Sequence, residues 1–165
     1  MAWDAQSARR APAARKALTA SPPPRPEGGL LPPAAPDAMS YSYTTDLAAI
    51  RAVVHRYAIL AGLSESRATD LVLAVSEVAA NTVRHAKSPG SLKIWYDSDE
   101  IVCQVHDEGI ITDPLVGRHR PSLDAMGGHG LWIVNEVCDQ VDVRSDETGT
   151  TIQLHMKLPR PRPRS

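Results

Sequence analysis

Four short clusters hold residue types suited to chemistry. Glu77 and Asn81 stand four apart, so in a helix they lie one above the other on one face, with His85 a further turn along. A carboxylate in such a row can orient or deprotonate a hydroxyl or a water. An amide oxygen suits Mg²⁺, a hard cation that takes oxygen ligands and keeps several waters. The same spacing also describes an ordinary polar helix face. Asp107-Glu108-Gly109 closes a stretch of alternating apolar residues. A carboxylate at a strand end can accept a hydrogen bond from an exocyclic amine such as adenine N6, and the glycine lets a flat ring approach the backbone. Asp and Gly are equally the residues of a strand-to-loop turn.

Gly127-Gly128-His129-Gly130-Leu131 stands just before a helix-like segment. Converging backbone N–H groups and a helix N-terminus make a phosphate cradle. The run is not a Walker loop, since no Gly-Lys-Ser/Thr follows. It is not a dinucleotide fingerprint either, since no strand leads directly into it. A flexible hinge is the other reading. Gly149-Thr150-Thr151 opens the last strand-like stretch, where a hydroxyl either joins a network around the base or faces solvent across from its neighbour.

These clusters need elements to hold them. A short strand is expected over Ser40–Thr44. Thr45 is placed to cap a helix from about Asp46 to Ala61, with Leu47, Ile50, Val54, Tyr57, Ala58 and Ala61 on one side and Gly62 as its stop. Ser64 then caps a longer helix to about Ala86, buried along Leu71, Val75, Val78, Thr82 and Ala86 and ended by Pro89 and Gly90. A hairpin follows: Leu92, Ile94 and Tyr96 alternate with Lys93, Trp95 and Asp97, and Ile101, Cys103 and Val105 alternate with Val102, Gln104 and His106. Residues 108–127 have no periodicity, and a loop of that length inside a compact domain tends to be functional. A helix over about Gly130–Cys138 and strands over about Gln140–Arg144 and Thr150–Leu158 complete the chain, the strands joined by a turn at Asp146 to Gly149. The order predicts an α/β fold, a two-layer sandwich with helices on one face of a mixed, mainly antiparallel sheet.

Composition narrows the class. Residues 1–38 hold eight prolines among Ala, Arg and Gly, and too little bulky apolar surface to offset the entropy of ordering, so they read as a disordered tail. Met39, just before the ordered pattern, is an alternative start. The domain is expected over 39–158, and 159–165 form a basic Pro-Arg tail. The net charge of -1 gives no argument for nucleic acid. No apolar run approaches the ~20 residues of a membrane span, and no secretory signal is evident, so a cytoplasmic location is expected. The isolated Cys103 and Cys138 read as reduced core residues rather than a disulfide. Nothing in the spacing of Asp113, His119 and His129 matches a zinc pattern.

Taken together, Glu77…Asn81, Asp107-x-Gly109, Gly128-x-Gly130-Leu131 and Gly149-Thr150 resemble the N, G1, G2 and G3 boxes of the GHKL, or Bergerat-fold, ATPases. Within that superfamily "LVLAVSEVAANTVRHA", "HDEG" and "GGHGLWIVNEVCDQVDV" look like the anti-sigma-factor serine kinases. The resemblance spans about residues 40–158. It implies ATP and Mg²⁺ as cofactors. It implies that Glu77 acts on the attacking hydroxyl, Asn81 binds Mg²⁺, and Asp107 and Gly109 meet the adenine. Gly128, His129, Gly130 and Leu131 would wrap the phosphates under a lid within 110–127, and Thr150 would support the adenine pocket. It further implies transfer of the γ-phosphate to a serine of a STAS-fold anti-anti-sigma partner, competition between that partner and a sigma factor, and a homodimer.

One departure stands out. The family's G1 box often has a second glycine, and here Gly109 is followed by Ile110 and Ile111, β-branched where glycine would be permissive. Arg118, His119 and Arg120 in the lid either meet phosphate or are solvated. Two other functions therefore stay open: a module that only sequesters a protein partner, with or without nucleotide, and the ATPase part of a split histidine kinase.

Overall fold

The computed structural model describes residues 31–85, 88–111 and 129–160. Eight elements follow in chain order: β1 (Met39–Tyr43), α1 (Ala48–Leu60), α2 (Glu65–His85), β2 (Gly90–Asp97), β3 (Glu100–Asp107), α3 (His129–Val137), β4 (Gln140–Asp146) and β5 (Gly149–Lys157). The strands form one sheet in the order β1-β2-β3-β5-β4. Among the described residues all four neighbouring pairs are antiparallel, within the mainly antiparallel sheet expected from the sequence. The α2 helix packs between α1 and α3 and lies on β2, β3 and β5. This is the two-layer α/β sandwich, with the helices on one face.

Strand alternation explains the layering. Leu92 and Ile94 on β2 pair with Val105 and Cys103 on β3, which pair in turn with Ile152 and Leu154 on β5. All six are buried in one cluster with Val54 and Ala58 of α1, Leu71, Val75 and Val78 of α2, and Leu131 and Val134 of α3. Fully burying an aliphatic side chain contributes about 1.5–3 kcal/mol, so this cluster is the main stabilising term. Trp95 and Val102 are buried too, but they alternate with the core residues and lie on the opposite face of the sheet. There Gln153, fully buried, donates to the Pro32 carbonyl at 2.7 Å and ties residues ahead of β1 to the sheet.

The helix ends follow local chemistry, with one correction. Thr45 does not cap α1: Leu47 is the N-cap residue, with no side-chain cap bond. Asp46 accepts from the Ala48 N–H at 2.9 Å instead, because its short carboxylate reaches the amide two residues on. At the other end Gly62 N–H bonds Ile59 O and Leu63 N–H bonds Ala58 O, a Schellman closure that needs the positive φ of +98° at Gly62. Ser64 does open α2, its hydroxyl accepting from Arg67 N–H at 3.4 Å. Gly90 is the first residue of β2 rather than part of a helix stop. Cys103 and Cys138 are buried and are not joined in a disulfide, and burial, followed by the charge of Cys138, pushes the Cys103 thiol up.

Candidate nucleotide-binding site

Strand register brings the second and fourth clusters of chemistry together. Asp107, last on β3, is the cross-strand partner of Thr150 on β5, and Thr150 is the partner of Ser145 on β4. The α2 helix crosses these strand ends on the core side. Between them lies a cavity of about 230 Å³ lined by Val78, Asn81, Asp107, Gly109, Ile110, Ile111, Gly130, Leu131, Thr150 and Ile152. Six residues singled out in the sequence, Asn81, Asp107, Gly109, Gly130, Leu131 and Thr150, thus meet in one space. The wall is apolar along Val78, Ile110, Ile111, Leu131 and Ile152 and polar at a few points, the composition of a small-molecule site.

Glu77 is one turn before Asn81 on α2 and half-buried; it is not among the residues that line the cavity. Its carboxylate lies against the start of α3, so close that a Cβ on Gly130 would stand 2.9 Å from Glu77 Oε2. Glu77 and Gly130 are therefore neighbours in space, 53 positions apart in sequence. Asn81 lines the cavity, and its Oδ1 accepts a long hydrogen bond from Arg84 at 3.4 Å. Gly128 and the side chains of His85 and His129 lie outside the described residues. So does most of the expected lid, with Arg118, His119 and Arg120.

Two hydrogen-bond chains hold the base of the cavity. In the first, Tyr43 and Thr82 hydroxyls meet at 2.9 Å, Thr82 donates to Asp107 Oδ2 at 2.7 Å, and Gly109 N–H donates to Asp107 Oδ1 at 2.7 Å. In the second, Ile111 N–H donates to Ser145 Oγ at 2.9 Å, Ser145 meets Thr150 Oγ1 at 2.8 Å, and Thr150 donates to Gly109 O at 2.7 Å. The second chain gives the missing G1 glycine a physical answer. No non-glycine residue among those described has positive φ, and residues 109–111 are pinned to β4 and β5 in a backbone that β-branched side chains adopt freely. Ile110 and Ile111 then serve as apolar wall.

Tyr43, Thr82 and Ser145 were not singled out for chemistry in the sequence. Thr82 reads there as one step of a buried stripe, four after Val78, and only its hydroxyl in a position otherwise suited to Val hints at a second role. Burial pushes the Tyr43 phenol above its ordinary range, and the Asp107 charge adds to it.

The residues present fit an adenine nucleotide. A carboxylate held at a strand end can accept from an amine, apolar walls flank the place for a ring, and an amide oxygen and a helix N-terminus lie toward the place for phosphates.

The sequence profile of the family described as histidine kinase-like ATPase domain matches residues 42–156. No curated protein sequence matches the chain. Among solved structures, the crystal structure of the RsbU and RsbW domains of Rv1364c from Mycobacterium tuberculosis is similar with a TM-score of 0.54 and 20% identity. The match covers 74% of this chain and 33% of that one, so this chain spans about a third of its length.

Proposed function

The chain belongs to the histidine kinase-like ATPase domain family, and on that footing we propose that it is an ATP-binding anti-sigma regulator with protein serine/threonine kinase activity. The observation that carries this reading is the cavity that gathers residues of four separated motifs, with Glu77 packed against Gly130 of its lining. Asp107 accepts the adenine amine, and Thr150 and Gly109 hold the floor against which the ring lies. Asn81 supplies an oxygen to Mg²⁺, whose chemistry is to neutralise phosphate charge. The Gly130 end of the cavity and the α3 N-terminus favour the phosphates.

Phosphoryl transfer asks mainly for positioning and charge neutralisation, which a site of this size can supply. Glu77 orients the serine hydroxyl of the partner and takes its proton as oxygen bonds to the γ-phosphorus and the bond to the β-phosphate oxygen breaks, leaving ADP. The phospho-acceptor is a STAS-fold anti-anti-sigma protein. The same surface sequesters a sigma factor, and that partner puts the site of action in the cytoplasm. The resemblance to the anti-sigma-factor kinases supports these partners and a homodimer.

A second reading is favoured by Ile110 and Ile111 lining the cavity in place of a permissive glycine. In it the chain is a nucleotide-responsive switch that holds a partner without phosphorylating it. A pull-down from native cytoplasm, followed by incubation with labelled Mg-ATP, separates the two. The kinase reading expects a small labelled partner and loss of label in Glu77→Ala. A co-purified sigma factor or STAS protein that never takes label supports the switch.

A further inference from the structure

We propose that Thr82, oriented by Tyr43, sets the base preference of this site by committing its hydroxyl proton to Asp107, so that the carboxylate can only accept from a purine that donates. This deepens the ATP-binding reading above and rests on it. The argument begins with proton counting. A threonine hydroxyl has one proton and two lone pairs, and a carboxylate oxygen only accepts. Thr82 donates to Asp107 Oδ2 at 2.7 Å. Its 2.9 Å contact with Tyr43 must therefore run the other way, with the phenol donating. Tyr43 is 4% exposed and Thr82 2%, so water does not compete for either hydroxyl.

The relay crosses three elements: Tyr43 ends β1, Thr82 is on α2, and Asp107 ends β3. Gly109 N–H holds the other carboxylate oxygen at 2.7 Å. Both oxygens are thus fixed, and each retains a lone pair. Asp107 lines the cavity. A base presenting an amine to these lone pairs gains a hydrogen bond to a charged group. A base presenting a carbonyl sets acceptor against acceptor and leaves the carboxylate unmatched, which is the stronger source of discrimination. Without the Thr82 hydroxyl one carboxylate oxygen loses its tether, and the carboxyl group can turn or take up water to suit either base. Thr82 is thus a positioning residue: it acts through Asp107.

The test measures Mg²⁺-dependent binding of ATP and of inosine triphosphate, which has a carbonyl in place of the amine, by calorimetry on the full chain. Thr82→Val, Thr82→Ser and Tyr43→Phe are compared with the wild type. The wild type should prefer ATP strongly. Thr82→Val should lose about tenfold or more of that preference, as expected for one hydrogen bond to a charged group, chiefly through weaker ATP binding. Thr82→Ser should restore the preference, and Tyr43→Phe should reduce it less than Thr82→Val does. Equal weakening of both nucleotides by Thr82→Val, as a merely structural role would give, overturns the proposal. If Thr82→Val does not fold, an unchanged ratio in Tyr43→Phe overturns it in the same way. A wild type that binds both nucleotides equally overturns the proposal alone. A wild type that binds neither overturns the ATP-binding reading and this proposal with it.

Discussion

Gly149 and the Asp107 main chain are packed so closely that a Cβ on Gly149 would overlap the Asp107 carbonyl oxygen and stand 2.8 Å from the Glu108 Cα. Gly149 also has φ +128°, a conformation that side chains strain to adopt. The first residue of β5 is therefore what allows the Asp107 main chain to stand directly beside the start of β5. Gly149→Ala should unfold at markedly lower denaturant, with a loss of about 2–4 kcal/mol, because the clash is with backbone that cannot rotate away. A urea melt with an unchanged midpoint would show that the close approach is not needed.

Gly130 presents a milder case. Its hypothetical Cβ meets Glu77 Oε2, the tip of a flexible side chain. Gly130→Ala should fold with a stability change within about 1 kcal/mol, yet displace Glu77 from the start of α3. Phosphorylation of the partner protein should fall tenfold or more while the melting temperature holds. Full transfer activity in this variant would separate Glu77 from the glycine-rich helix start.

The two α2 side chains should split binding from transfer. Asn81→Ala is expected to abolish Mg²⁺-dependent ATP binding. Glu77→Ala is expected to bind ATP with near wild-type affinity and transfer no phosphate. Calorimetry with and without Mg²⁺, paired with a label-transfer assay, reads both. Unchanged affinity in Asn81→Ala would remove it from the site, and retained transfer in Glu77→Ala would remove that residue from its role.

Away from the site, His155 makes stability depend on pH. It is buried on the outer sheet face, with Nδ1 2.9 Å from Glu100 Oε1 and Nε2 3.3 Å from Asp142 Oδ2, the second contact outside good hydrogen-bond geometry. Burial works against the charged ring, but the nearby carboxylates of Asp142 and Glu100 together outweigh it and raise the pKa above 6.5. The folded chain then holds this proton more tightly than the unfolded chain. The stabilisation is full below the unfolded value of 6.5 and is lost as pH rises through the raised folded value. Unfolding free energy should therefore decline with rising pH above 6.5 in the wild type and decline less in His155→Gln. Identical pH slopes in the two proteins would remove His155 as the cause.

Much of this site could be read along the chain. Asn81, Asp107, Gly109, Gly130, Leu131 and Thr150 carry their chemistry in residue type and local spacing, and all six line one cavity. The hairpin partners Leu92 with Val105 and Ile94 with Cys103 follow from two-residue alternation around a short turn. Thr45 misled because capping preference is shared by several short polar residues, and Asp46 reaches the first free amide.

The sequence by itself determined which elements form, which faces are apolar and which residue types can meet a nucleotide, because helix and strand periods and glycine freedom are local properties. Only the tertiary structure decided that hydroxyls on β1, α2 and β4 converge on one carboxylate and one loop. Tyr43, Thr82 and Asp107 are separated by 39 and 25 positions, and Ile111 and Ser145 by 34. The order β1-β2-β3-β5-β4 and its register place them within hydrogen-bond distance. A hydroxyl's partner is set by what packs against it, and no local pattern encodes that.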